Sequence, residues 1–123
     1  MIIYLAGPMR GIASFNFPAF DFAAAKLRAD GHEVFSPAER DRTIYGVALE
    51  DNPTGDNKLA NANVGFSLRE ALGADMVFIT QTANAIALLP GWEKSSGANA
   101  ELATARALGH TQIFLGSDYV ENK

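Results

Sequence analysis

Serine, glycine and glutamate residues near the end of the chain combine into a site that would hold an anion beside a carboxylate. A break at Pro90-Gly91 precedes Ser95 and Ser96, and an alanine-rich helix is predicted from about Gly97 to Leu108. A serine can cap that helix, and the free N–H groups at a helix start attract anions. Glu101, one turn into the helix, is a candidate reactive carboxylate. The alternative is that Glu101 only complements the helix dipole.

A second glycine-bearing loop follows the first apolar stretch of the chain and reads Gly7-Pro8-Met9-Arg10-Gly11. Glycine lets the backbone come close to a ligand, and a guanidinium is the side chain best suited to binding phosphate. The loop is therefore a candidate substrate-binding loop through Gly7, Met9, Arg10 and Gly11. The alternative for Arg10 is a charge that only meets solvent.

A further acid, Asp75, is predicted on the buried side of a helix. Ser67-Leu68-Arg69-Glu70 forms a capping box, so a helix is expected from Ser67 to about Thr82. Asp75 faces inward on that helix, and a buried carboxylate is costly unless it is paired or used. Asp75 is therefore either functional or a buried hydrogen-bonding residue. The apolar stripe beside it consists of Leu68, Leu72, Met76 and Ile79.

The elements that must position these residues alternate between strand and helix. Such alternation predicts an α/β domain with a doubly wound parallel sheet of four to five strands, in the order 2-1-3-4, of Rossmann-like or flavodoxin-like type. Ligands in these sheets bind at the carboxyl ends of the strands, where the order reverses. The two glycine-bearing loops would meet there. The predicted strands are 2–6, 33–36, 85–89 and 112–115, with a helix over 17–30, capped by Asn16, after the first.

Residues 1–123 are expected to form one domain, in which the segment 40–66 is the least regular. It lacks periodicity and is rich in Asn, Asp and Gly, so it is predicted to be an irregular lid or insertion. Glu39 and Asp41 follow the second strand and could reach a pocket, but they are interpreted as solvated loop acids. The tail from Gly116 is expected to be peripheral and long enough to reach a neighbouring subunit.

Composition excludes several classes of function. A net charge of −4 argues against binding to nucleic acid, and no apolar run is long enough to cross a membrane. The chain has no cysteine and two histidines without metal-ligand spacing, so no metal site is predicted. No signal peptide is recognisable at the N-terminus, and a cytoplasmic protein is expected.

Several motifs together resemble the nucleoside 2-deoxyribosyltransferase-like superfamily. The opening Ile3-Tyr4-Leu5-Ala6-Gly7-Pro8 is similar to the first strand and loop of that superfamily, and Ser95-x-Gly97-x-x-x-Glu101 resembles its second signature. The Asn16–Phe20 stretch and the core Leu89–Ala98 resemble a bacterial and phage branch. The resemblance covers nearly the whole chain apart from 40–66.

The resemblance implies a role for each matching residue. Glu101 corresponds to the nucleophile, Tyr4 to the tyrosine that hydrogen-bonds it, and Asp75 to the acid that assists the departing base. Arg10 and Ser95 match the phosphate-binding positions of the 2′-deoxynucleoside 5′-phosphate N-hydrolases, the nearest characterised relatives.

Two departures from the family pattern bear on the substrate. Pro8 replaces a serine of the hydrolase loop and removes a backbone donor. Trp92-Glu93-Lys94 is peculiar to the branch, so the choice of substrate does not transfer, although Trp92 and Ser96 are expected to contact it.

The expected function is therefore an N-glycosidase that cleaves a (deoxy)nucleoside 5′-monophosphate into base and sugar phosphate, with no cofactor. A nucleoside 2-deoxyribosyltransferase is one alternative, and a nucleotide-binding sensor without turnover is another. The resemblance also implies a homodimer or larger assembly in which a neighbouring subunit completes the pocket. The base and the choice between ribose and deoxyribose stay open.

Overall fold

A four-stranded sheet with every pair of neighbouring strands parallel forms the centre of the molecule. The computed structural model describes residues 1–46 and 51–121, with the backbone alone at 63 and 64. The strand order is β2-β1-β3-β4, which confirms the predicted α/β class and order. The strands are β1 (Ile2–Ala6), β2 (Glu33–Phe35), β3 (Ala85–Leu88) and β4 (Thr111–Phe114).

The central strand β1 is buried on both faces because helices cover both sides of the sheet. Side chains alternate along a strand, so Ile3 and Leu5 enter one apolar cluster while Tyr4 and Ala6 enter the other. This alternation points the Tyr4 ring toward the helices that precede and follow β3. The helices are α1 (Phe17–Ala29), α2 (Pro37–Tyr45), α3 (Asn57–Val64), α4 (Leu68–Gln81) and α5 (Ser96–Ala107).

The segment 40–66 is more regular than predicted, because α2 and α3 occupy much of it. Pro37 suits the first turn of α2, and Asp56 caps α3 by accepting hydrogen bonds from the N–H groups of Lys58 and Leu59. The prediction of an irregular lid is therefore wrong for these helices. Residues 47–50, which belong to the same prediction, lie outside the described residues.

One of three detailed helix predictions is confirmed and two are wrong. The Ser67 hydroxyl accepts a hydrogen bond from the Glu70 N–H at 3.3 Å, as the capping box predicts. Asn16 does not cap α1 through its side chain; its amide instead donates to the Pro8 carbonyl at 3.0 Å. Leu68 is 46% exposed, so the predicted apolar stripe of α4 does not bury it.

The tail lies against its own chain as far as residue 121. Leu115 and Glu121 form an antiparallel bridge, and the Tyr119 ring stacks on Phe22 with the ring centroids 6.2 Å apart. This part of the tail therefore packs on its own chain, and its contact with a neighbouring subunit stays a prediction. No helix within the described residues is long and apolar enough to cross a membrane.

Candidate functional site

A cavity of about 670 Å³ opens at the carboxyl ends of β1 and β3. Its volume lies within the range of small-molecule sites, roughly 300–1,000 Å³. The loops that follow the two strands form its walls, as the strand order predicts. The predicted site residues that line it are Tyr4, Gly7, Met9, Arg10, Asp75, Ser95, Ser96, Gly97 and Glu101.

Glu101 is held in the cavity wall by a hydrogen bond from the centre of the sheet. The Tyr4 hydroxyl donates to Glu101 Oε2 at 2.6 Å, and both side chains are buried. Helix α5 begins at the capping residue Ser95, whose hydroxyl accepts from the Ala98 N–H at 3.1 Å. With Ala98 and Ala105 buried on the same face, Glu101 turns toward the sheet.

Burial makes the ionised form of Glu101 costly. It raises the pKa of Glu101 to about 8, although the hydrogen bond from Tyr4 partly offsets that rise. The same burial, together with the nearby Glu101 carboxyl, raises the pKa of Tyr4 well above its usual value. Tyr4 therefore stays protonated near neutral pH and acts as a donor to Glu101.

Asp75 contributes a second carboxyl to the same cavity from α4. It is 7% exposed, and its Oδ1 has no hydrogen-bond partner among the described residues. Burial raises the pKa of Asp75 to about 6, and the Tyr4 hydroxyl lowers it in part. A buried polar atom without a partner is uncommon in folded proteins, so this oxygen is available to a ligand.

A third acid, Asp41, lines the cavity although it was expected to be a solvated loop acid. It belongs to α2 and is 4% exposed. Burial, with a contribution from Asp75, raises the pKa of Asp41 to about 7. Glu39 lies in the first turn of α2 and not in a loop, but its side chain is exposed as expected and pairs with Arg28 at 2.6 Å. The missed signal is Ser36-Pro37-Ala38-Glu39, which has the spacing of a capping box.

Arg10 and the serines lie at the rim of the cavity. The exposed Arg10 guanidinium donates through Nη2 to the Ser96 hydroxyl at 3.4 Å, which joins the loop after β1 to the start of α5. Gly7 is required by packing, since a Cβ there would come within 2.7 Å of Leu89 Cβ. The rim therefore combines a cation, hydroxyl groups and the N–H groups of a helix start.

Two predicted site residues are absent from the cavity wall. The Gly11 N–H donates to the Gly55 carbonyl at 2.9 Å, so this glycine secures the loop against the segment before α3. The Trp92 ring packs on Phe114 with the centroids 5.7 Å apart, in the apolar cluster beneath β4. The assignment of Gly11 and Trp92 to substrate binding does not agree with this placement.

A left-handed turn shapes another part of the wall. Ser14, Phe15 and Asn16 have φ values of 54°, 51° and 62°, which costs about 1–2 kcal/mol per residue outside glycine. A hydrogen bond from the Ser14 N–H to the Asn52 carbonyl at 2.9 Å helps to hold this turn. Strained backbone concentrates at binding sites, and Phe15 and Asn16 both line the cavity.

The raised pKa values predict how stability depends on pH. Some carboxyl groups have a higher pKa in the folded than in the unfolded protein. The contribution of such a group to stability is fully present below its unfolded-state pKa and is lost as the pH rises through its folded-state pKa. For Glu101 this window runs from 4.5 to about 8. Glu101→Gln should therefore raise the free energy of unfolding by roughly 2–4 kcal/mol more at about pH 9 than at about pH 5.

Thermal or denaturant unfolding of both proteins at the two pH values measures this effect. Glu93→Gln is the matched control, because Glu93 is an exposed acid in the loop before α5. It should change stability by the same small amount at both pH values. A pH-independent effect of Glu101→Gln would contradict the burial argument.

The comparisons with known proteins identify a family and nothing beyond it. A family model described as "Domain of unknown function (DUF4406)" matches residues 1–114. No curated protein and no solved structure matches the chain. Within 1–46 and 51–121, no group of three or more His, Cys, Asp or Glu residues is arranged to hold a metal ion.

Proposed function

The chain belongs to the DUF4406 family, and we propose that it is an N-glycosidase that releases the base from a (deoxy)nucleoside 5′-monophosphate. The observation that carries the proposal is the 2.6 Å hydrogen bond from Tyr4 to Glu101, in a cavity that also holds Asp75. An oriented carboxylate beside an acid with an unpartnered oxygen matches the paired carboxyl groups of glycoside cleavage.

In the first step Glu101 attacks C1′ of the sugar. The C1′–N bond breaks, a C1′–O bond to Glu101 forms, and the electron pair leaves with the base. Asp75 donates a proton to a ring nitrogen of that base, which makes it a better leaving group. In the second step Asp75 takes a proton from water, which attacks C1′ and frees Glu101 and the sugar phosphate.

The protonation state of the two acids must change when substrate binds. With pKa values of about 8 and about 6, Glu101 holds the shared proton more tightly than Asp75 in the free cavity. The reaction needs the opposite arrangement. Positive charge developing on the sugar favours ionised Glu101, and a basic ring nitrogen beside Asp75 favours a proton there. Substrate would therefore redistribute the proton between them.

The rim supplies the binding site for the phosphate in this proposal. Arg10 provides a charge-assisted donor, and Ser95 and Ser96 provide hydroxyl groups at the start of α5. These groups are at the rim, whereas Tyr4 and Glu101 are buried in the cavity wall. Holding the phosphate away from C1′ orients the sugar without competing for the nucleophile.

Arg10→Ala should weaken the binding of a nucleoside 5′-monophosphate by roughly 1.5–3 kcal/mol, because a charge-assisted hydrogen bond is lost. The unphosphorylated nucleoside should bind almost equally to both proteins. Titration calorimetry with the two ligands measures the difference. Arg106→Ala is the control, since Arg106 contacts Gln112 and lies outside the cavity wall. An equal loss for both ligands would show that Arg10 does not bind phosphate.

The direct test of the proposal is release of free base. The protein is incubated with ribo- and deoxynucleoside 5′-monophosphates, and the base is quantified by chromatography. Release that increases only when a second base is added, with a new nucleoside 5′-monophosphate formed, would indicate a transferase instead. Tight binding without release would indicate a nucleotide sensor.

The homo-oligomer implied by the family resemblance stays a prediction. Leu68 lines the cavity and is 46% exposed. An exposed apolar side chain at the start of α4 would gain from cover by a second copy. We retain the α4–α5 face as the proposed contact between subunits.

A further inference from the structure

Asp41 is a buried acid in the cavity that the proposed reaction does not use. It lies one turn after Pro37 on α2, and the spacing of four residues places both on the face that lines the cavity. Its Oδ1 accepts a hydrogen bond from Arg40 Nη1 at 3.1 Å. Burying a carboxylate is costly, so its position at a ligand cavity calls for a binding partner.

The sheet order places Asp41 across the cavity from Glu101. Helix α2 follows β2 and α5 follows β3, while β1 lies between these two strands. Asp41, Asp75 and Glu101 line the same cavity, and the Asp75 carboxyl is one of the groups that raise the pKa of Asp41. Asp41 is therefore near Asp75, the residue that contacts the departing base in the proposed reaction.

The contact with Arg40 suits Asp41 to accept hydrogen bonds. Burial raises the pKa of Asp41 to about 7 and the Arg40 guanidinium lowers it in part, so the carboxylate form, which has acceptor oxygens only, is populated from about neutral pH upward. Asp75 Oδ1 has no hydrogen-bond partner among the described residues, so it is the carboxyl oxygen left open to a ring nitrogen of the base. With Oδ1 held by Arg40, Asp41 can offer Oδ2 to an N–H group of a ligand.

We propose, on the basis of the function proposed above, that Asp41 accepts a hydrogen bond from an exocyclic amino group of the departing base. The substrate is then a nucleotide of an amino-bearing base, of the adenine or cytosine kind. A base with a carbonyl in that position would set its oxygen against the carboxylate, and such unpaired polar contacts discriminate strongly between ligands. Asp41 is a specificity-determining residue in this arrangement.

The test compares ligands in which a carbonyl replaces the amino group and the neighbouring ring nitrogen gains a hydrogen. Binding of dAMP and dIMP, and of dCMP and dUMP, is measured by calorimetry to Glu101→Gln protein, which prevents turnover. The amino ligand of at least one pair should bind more than about tenfold tighter. Adding Asp41→Asn should bring that ratio close to one, because the amide can donate to a carbonyl as well as accept.

The control is Glu39→Gln in the same background. Glu39 lies on α2 with Asp41, but its carboxylate pairs with Arg28 away from the cavity. This variant should keep the full preference for the amino ligand. Thermal unfolding of each variant establishes that the proteins compared are folded.

The outcomes separate this inference from the proposed function. The role of Asp41 is overturned if Glu101→Gln protein binds the amino and carbonyl ligands equally, or if its preference for the amino ligand is unchanged by Asp41→Asn. Base release by the wild-type protein in that case leaves the glycosidase proposal standing. A preference that depends on Asp41, with no base released by wild type, supports the amino contact and overturns the glycosidase. Absence of binding by all four nucleotides overturns the role of Asp41, and the release assay with the full set of ribo- and deoxynucleotides then decides the glycosidase proposal.

Discussion

Replacing Glu101 by glutamine is expected to stop base release while nucleotide binding and the fold are retained. The amide cannot attack C1′ as a carboxylate does, and loss of a nucleophile should lower kcat by at least about 10⁴-fold. Glutamine has nearly the same shape, and its carbonyl oxygen can still accept the Tyr4 hydrogen bond seen at 2.6 Å. Base release is followed by chromatography, and binding by calorimetry.

Glu93→Gln is again the matched control for this experiment. Both residues are acids near the start of α5, but Glu93 is exposed and lies outside the cavity wall. It should keep nearly full activity. Activity of Glu101→Gln within about tenfold of wild type would remove Glu101 as the nucleophile. Loss of binding as well as turnover would indicate a structural role at the cavity wall.

The sheet could be predicted from the sequence because its strands carry local signals. Runs such as Ile2–Ala6 are short and apolar throughout, which is typical of strands covered on both faces. Helices between them impose parallel strands, and right-handed crossovers leave few strand orders. The position of the cavity follows from that order, so Arg10, Ser96 and Glu101 could be brought together before any contact was known.

Helix α2 could not be predicted from hydrophobic periodicity because one of its buried positions holds an acid. Its inward face consists of Pro37, Ala38 and Asp41. A pattern search that counts apolar residues finds no stripe there, although Ser36 and Glu39 have capping-box spacing. Asp41 was therefore assigned to solvent. Functional acids tend to break the pattern on which such predictions depend.

Gly11 and Trp92 illustrate contacts that depend on distant parts of the chain. Gly11 is bound by Gly55, in a segment whose path has no clear signal in the sequence. Trp92 packs against Phe114, which ends a strand that follows in sequence. A loop position close to a motif indicates nearness to a site, but the direction of the side chain is set by such nonlocal packing.

Asp75→Asn is expected to lower kcat for natural nucleotides by roughly 10²–10⁴-fold with little change in binding. The departing base needs a proton from Asp75, and asparagine has none of suitable acidity. Asp75 Oδ1 has no hydrogen-bond partner in the part of the chain that the structure describes, so the substitution breaks none there at that atom. Steady-state kinetics and calorimetry on the two proteins measure both quantities.

The leaving group distinguishes a proton donor from a structural residue. 4-Nitrophenolate is a leaving group that needs no proton. Asp75→Asn should therefore carry out the first step on a 4-nitrophenyl glycoside of the same sugar phosphate at nearly the wild-type rate. Glu101→Gln should fail on this substrate too, because the nucleophile is needed whatever group leaves. Burst kinetics with released nitrophenol isolates that step. An equal loss on both substrates in Asp75→Asn would mean that Asp75 positions the sugar and does not protonate the base.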